Sequence, residues 1–165
     1  MTHARVMLPA LVVLAGLQAC SSSDTAKVQA DIEKARADAQ KIVAEAQAKY
    51  DKVQAENTKD VVEAQADARK EAVETDARGA NTPTAPTTPA DKKVAETRGD
   101  AVQKALDAQF DLDKARAEAN YKVADAHCDL QSGLGRKACK ETAKAVYDTN
   151  LATAKTRKVA GRQRG

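Results

Sequence analysis

Apolar positions fall into distinct regimes along the chain. Val6–Leu17 is an uncharged run of 12 residues behind a single basic residue, Arg5. A membrane-crossing helix needs roughly 20 apolar residues, so this run is too short to be one. Its order of charged start, apolar middle and small residues predicts a signal peptide over residues 1–19. From residue 25 the pattern changes to helical spacing. Val28, Ile32, Ala35, Ala39, Ile42, Ala46, Lys49 and Val53 recur at steps of three and four, the spacing of a coiled-coil seam. A second phase through Tyr50, Val53, Asn57, Val61, Ala64, Ala68 and Ala72 inserts an extra four-residue step, which unwinds a supercoil locally. No glycine or proline lies between Cys20 and Arg78. One long helix is therefore expected over residues 25–78, capped by Asp24. Its stripe needs a partner, either a second copy or the other half of the chain.

Residues 79–90 break the helical pattern with Pro83, Pro86 and Pro89 at steps of three, which favours a polyproline II spacer. Thr88, Pro89 and Asp91 then form a helix-start signal: a capping threonine, proline in the first turn and an acid three residues after the cap. Residues 91–160 return to helical patterning. Gly99 marks a weak first turn, with regular helix expected from Asp100 and an interruption at Ser132–Gly135. Residues 28–47 align without gaps on residues 108–127 with 10 identities, including Lys-Ala-Arg-Ala and the match of Ile32 to Leu112, as a duplicated helical unit would.

Composition makes this an elongated all-α chain rather than a compact one. After residue 19 the only aromatics are Tyr50, Phe110, Tyr121 and Tyr147, and alanine dominates the apolar positions, so little large-side-chain core is available. The net charge of +3 is unevenly spread. Residues 24–78 carry 13 acidic and 10 basic side chains, whereas residues 128–165 carry 3 and 9. The basic end, residues 161–165 with the preceding turn, offers Lys155, Arg157, Lys158, Arg162 and Arg164 as candidate contacts for anionic envelope polymers such as lipopolysaccharide or peptidoglycan. A frayed terminus kept soluble by charge is the simpler account of the same residues.

The stretch Leu17-Gln18-Ala19-Cys20 resembles the lipobox of bacterial lipoproteins, with Gln18 departing from the residue types commonest at its position. That resemblance implies cleavage before Cys20, acylation of Cys20 with diacylglycerol and palmitate, and a tether over residues 20–24. Ser21 after the cysteine resembles the Gram-negative signal for sorting to the outer membrane, which implies a lipid-anchored protein on its periplasmic face. An ordinary secreted or soluble periplasmic chain with a nearby signal-peptidase site is the alternative. Three cysteines leave one unpaired in an oxidising compartment. Assigning Cys20 to lipid leaves Cys128 and Cys139 as a pair.

In one continuous helix Cys128 and Cys139 would stand ~16 Å apart, beyond disulfide reach. A turn at Ser132–Gly135 brings them together, which predicts an antiparallel helical hairpin stapled near its bend. Folding there sets Tyr121 near Val146, Ala117 near Asn150 and Ala124 near Ala143. It also sets Asp107, Asp111 and Asp113 beside Lys155, Arg157 and Lys158.

Two further resemblances concern architecture. Ala-Asp-Ala-Gln-Lys-Ile-Val-Ala-Glu-Ala-Gln in the first helix is similar to the stalk helix of the ATP synthase peripheral stator, implying a long helix. Tyr121-Lys122-Val123-Ala124, the glycine-bearing turn between Cys128 and Cys139, Lys140-Glu141, Ala143-Lys144 and Tyr147 resemble small exported proteobacterial proteins labelled TolA-like or cell-envelope biogenesis proteins. That likeness spans residues 112–150 and implies location and helical architecture without an activity.

His127 beside Cys128 suggests a Cys/Cys/His metal site, but no fourth ligand accompanies it, so a structural disulfide is preferred and no metal is expected. Cys-x-x-Cys, glycine-rich phosphate loops and serine elbows are missing from the sequence. Arg98-Gly99-Asp100 matches the integrin-binding tripeptide only by chance within a helix. The expectation is a non-enzymatic protein with no cofactor and no nucleic-acid partner. It would act as an envelope spacer or adaptor, joined to the membrane through Cys20 and to itself or a helical envelope partner through its seams. A binder of anionic envelope polymers is the alternative.

Overall fold

The computed structural model describes residues 22–77 and 88–164, with side chains described over 24–74 and 88–164. Cys20, the signal peptide and most of the proline-bearing linker lie outside the described residues. Three helices account for the fold: α1 (Ser22–Ala77), α2 (Pro89–Cys128) and α3 (Gly133–Arg162). The long helix appears as the apolar spacing predicts, and the second unit is divided into the hairpin expected from the two cysteines and the glycine-bearing turn between them.

Helix α1 runs antiparallel to α2. The pairs Arg36·His127, Gln47·Arg116, Asp60·Lys104 and Asp67·Lys93 ascend one helix as they descend the other. The partner of the α1 seam is thus the second half of the same chain. Ile32, Ala39, Asn57 and Ala64 are buried, and the intervening seam residues are partly covered. At the phase change the structure selects Tyr50 over Lys49, which is exposed, and Ala72 lies beyond the covered seam. An aromatic ring loses unfavourable hydration when covered, whereas a lysine head would have to shed its water.

Helix α2 starts as the sequence signal predicts. The Thr88 hydroxyl accepts from Asp91 N at 3.1 Å, and Thr88 N donates to Asp91 Oδ2 at 3.1 Å, closing a capping box with Pro89 in the first turn. Two boundary expectations are corrected. Asp24 lies inside the first turn of α1 rather than before it. Gly99 is an uninterrupted part of α2, because packing along α1 outweighs the ~1 kcal/mol by which glycine disfavours a helix.

The bend comes earlier than Ser132–Gly135. It occupies Asp129–Ser132, and α3 starts at Gly133, whose φ of 54° is a left-handed conformation that glycine adopts without a Cβ penalty. Helix α3 then returns along α2. Among the described residues, α1 and α3 each pack on α2 and not on each other. The result is an open array with α2 in the middle and a groove on either side of it.

Of the buried apolar residues, most are alanines, with Ile32, Leu112 and Cys128 the largest fully covered side chains. Both halves of the sequence repeat therefore place their larger aliphatic residue at a buried position. Small residues let helix axes approach closely but remove little apolar area from water, so cross-helix polar contacts matter more here than in a leucine-filled bundle.

Candidate functional site

The bend between α2 and α3 holds the densest set of specific interactions. Cys128, 1% exposed at the last residue of α2, is bonded to Cys139 in the second turn of α3, with Cα atoms 5.5 Å apart. The pairing is the one expected, although Cys139 sits one turn deeper because the bend is earlier.

Charged side chains close the bend from outside. Lys140 Nζ lies 3.0 Å from Asp129 Oδ1 and 3.3 Å from Asp125 Oδ2. The hydrogen bond to Asp129 and the further contact with Asp125 raise the Lys140 pKa against the opposing effect of desolvation. Arg136 Nε donates to Gln131 O at 2.8 Å and its Nη2 to Asp129 O, satisfying carbonyls at the bend. Sequence spacing did not single out Asp125, Asp129, Arg136 and Lys140 as a group. Their signal was the alternation of acid before the bend and base after it.

His127 faces α1. Arg36 Nη2 stands 3.1 Å from His127 Nε2, and a guanidinium has only donors, so this imidazole nitrogen is the acceptor. Among the described residues, no group of three or more His, Cys, Asp or Glu side chains is arranged to hold a metal ion.

Next to the disulfide, α2 and α3 frame a groove of about 680 Å³. Ala117, Ala124, Ala138 and Ala143 line it with Tyr121, Val146 and Tyr147. The rings of Tyr121 and Tyr147 have centroids 5.6 Å apart, an aromatic pair across the hairpin. The expected neighbours Tyr121 and Val146, Ala117 and Asn150, and Ala124 and Ala143 all line this one groove.

The basic end of the chain is largely answered by α2. Asp107 takes Lys158 Nζ at 2.9 Å and Arg162 Nη2 at 2.7 Å, and Arg157 reaches Asp113 at 3.7 Å. The hydrogen bond from Lys158, with a smaller one from Arg162, lowers the Asp107 pKa despite partial desolvation. Lys158 also stands 4.9 Å from the centre of the Phe110 ring. Arg164 Nε donates to the Ala160 carbonyl at 3.1 Å. Of the expected anion contacts, Lys155 and Arg164 have no carboxylate partner among the described residues, and Asp111 likewise takes no base from α3.

A polar residue inside the α1 seam completes the specific contacts. Asn57, 6% exposed, donates from Nδ2 to Ala101 O at 2.8 Å, while its Oδ1 has no partner among the described residues. A single buried amide in an otherwise apolar seam favours one register over its neighbours.

Among the described residues, no helix is long and apolar enough to cross a membrane. Compared with protein-family models, curated proteins and solved structures, the chain gives no match.

Proposed function

We propose that this chain is a lipid-anchored envelope protein, held to the periplasmic face of the outer membrane through Cys20 and acting as a spacer or adaptor. The observation that carries the reading is where the hairpin starts and turns. Helix α1 begins at Ser22, two residues after the candidate lipid attachment point, and continues for 56 residues, a rise of ~84 Å. The far end of α1 at Ala77 and the start of α2 at Pro89 therefore lie at the pole remote from Ser22. An anchor at one pole leaves the opposite pole presented at a set height above the membrane.

The disulfide supports the same compartment, since such bonds persist in oxidising environments. The α2–α3 bend lies near the anchored end, as the contact of His127 with Arg36 requires. Internal pairing of Lys158 and Arg162 with Asp107 makes the basic segment a structural part of the hairpin, which favours the spacer reading over a polymer-binding tail.

The test is fractionation of cells producing the chain with metabolic fatty-acid labelling and mass spectrometry of the mature N-terminus. The wild-type chain should be found in the membrane with an acylated Cys20, and Cys20→Ser should move it to the soluble periplasmic fraction. An unacylated mature N-terminus that does not begin at Cys20 would overturn the assignment.

A further inference from the structure

The face of α3 turned away from α2 carries a second seam. Thr142, Ala145, Thr149, Ala152, Thr156 and Val159 follow steps of three and four without a charged residue, and all are exposed. The residues diametrically opposite, Tyr147, Ala154 and Gly161, face α2. Among the described residues nothing covers the outward stripe. The exposed face of α1 is different, since Lys34, Lys41, Lys52, Lys59 and Lys70 interrupt it.

Three features adapt this stripe for burial. The hydroxyls of Thr142, Thr149 and Thr156 donate to the carbonyls of Ala138, Ala145 and Ala152 at 2.8–3.0 Å. Their polar atoms are thus already satisfied, and covering the methyl groups leaves no hydroxyl unpaired. One flank is apolar, where Val146 stands 54% exposed, and Val159 within the stripe is 55% exposed. The other flank is charged in blocks: Glu141 and Asp148 precede Lys155 and Arg162 at strict seven-residue intervals.

We propose that a second copy of this chain docks here, with the two α3 helices antiparallel. Flanking charges set orientation and register in such seams. In the antiparallel register that pairs Thr149 with Ala152 of the second copy and Thr142 with Val159 of the second copy, like positions on the charged flank meet. Asp148, which also takes Lys144 of its own helix at 2.9 Å, then faces Lys155 of the second copy, and Glu141, 4.0 Å from Lys137, faces Arg162 of the second copy, which keeps its contact with Asp107; each occurs twice by symmetry. Sliding by one heptad in either direction opposes Asp148 to itself or Lys155 to itself. A parallel arrangement sets the charged flank against the apolar one and gains no ion pair. The two-fold arrangement is isologous and closed, so it yields a dimer rather than a fibre. Lys155, with no ion pair among the described residues of its own chain, acquires one. Alanine and threonine allow close approach of the helix axes over this short seam.

This inference does not depend on acylation of Cys20. The test uses the full exported chain carrying Cys20→Ser, which removes both the lipid and the unpaired thiol, studied by sedimentation velocity over a dilution series. The expected result is a monomer–dimer equilibrium that weakens as salt is added. Lys155→Glu should weaken dimerisation roughly tenfold, the size expected when two exposed ion pairs become repulsive. The double variant Asp148→Lys, Lys155→Glu should restore it, because the opposed charges are exchanged. Ala145→Glu, which puts a charge in the seam itself, should also abolish the dimer. Circular dichroism should show unchanged helix in all variants, since the substituted side chains are exposed. A chain that stays monomeric, a dimer insensitive to Lys155→Glu, or a double variant that fails to recover would each overturn the proposal.

Discussion

Two glycines inside helices show how differently one missing methyl group can act. At Gly99 a Cβ would meet nothing within 4 Å, so alanine there adds helix propensity without a clash. Gly99→Ala should raise stability by ~0.5–1 kcal/mol in urea unfolding followed by circular dichroism. At Gly161 a Cβ would overlap Leu106, with Cδ1 at 2.9 Å and the branching Cγ at 3.3 Å. Overpacking of about 1–3 kcal/mol outweighs the propensity gain of ~1 kcal/mol, so Gly161→Ala should destabilise the chain in the same measurement. Neither outcome is visible in sequence, where Gly99 reads as a weak first turn and Gly161 falls in the basic tail beyond the expected helix. Gly133 is the exception: its place between the two cysteines marked it as turn chemistry, and its positive φ makes use of that freedom.

Helix α2 is the element on which the other two depend, and the disulfide ties only α3 to it. Closing a loop with a sequence separation of 11 stabilises by roughly 3 kcal/mol in the chain-entropy view. Replacing Cys128 and Cys139 by alanine should therefore loosen α3 while leaving α1 on α2. Hydrogen exchange should report this as lost protection in α3 with protection along α1 retained. Equal loss in all three helices would mean that the array opens as one unit. The α1 seam and the capping box of α2 were legible because periodicity and local hydrogen-bonding chemistry are properties of contiguous sequence. The identity of the α1 partner was not, since an alanine stripe fits many surfaces. Asn57, with its bond to the Ala101 carbonyl, supplies a specific register that periodicity alone leaves open.

Taken together, the helices make a rod rather than a ball. A compact domain of the 146 residues after the signal segment would have a radius of gyration of about 15 Å. A rod as long as α1 has about 24 Å, from its rise of ~84 Å. Small-angle scattering of the dilute Cys20→Ser chain should give a value near the larger figure and a maximum dimension of at least ~80 Å. A value near the smaller one would mean that α1 does not stand as a single helix. Extension suits a spacer, because contacts along α2 hold the two poles apart while burying little large-side-chain core.

What the amino-acid sequence determined by itself is local: long helices from unbroken alanine-rich spacing, the capped start at Thr88, a bend between Cys128 and Cys139, and the pairing of those cysteines. These follow from backbone propensity, turn chemistry and the short reach of a disulfide, all of which act over a few residues. Tertiary structure alone decided that α1 folds against α2 of its own chain, that Asp107 takes both Lys158 and Arg162 while Asp111 takes no base from α3, and that among the described residues nothing covers the outer face of α3. Those outcomes depend on which of several similar alanine-rich faces meet, and small side chains favour many pairings almost equally until polar and charged neighbours select one.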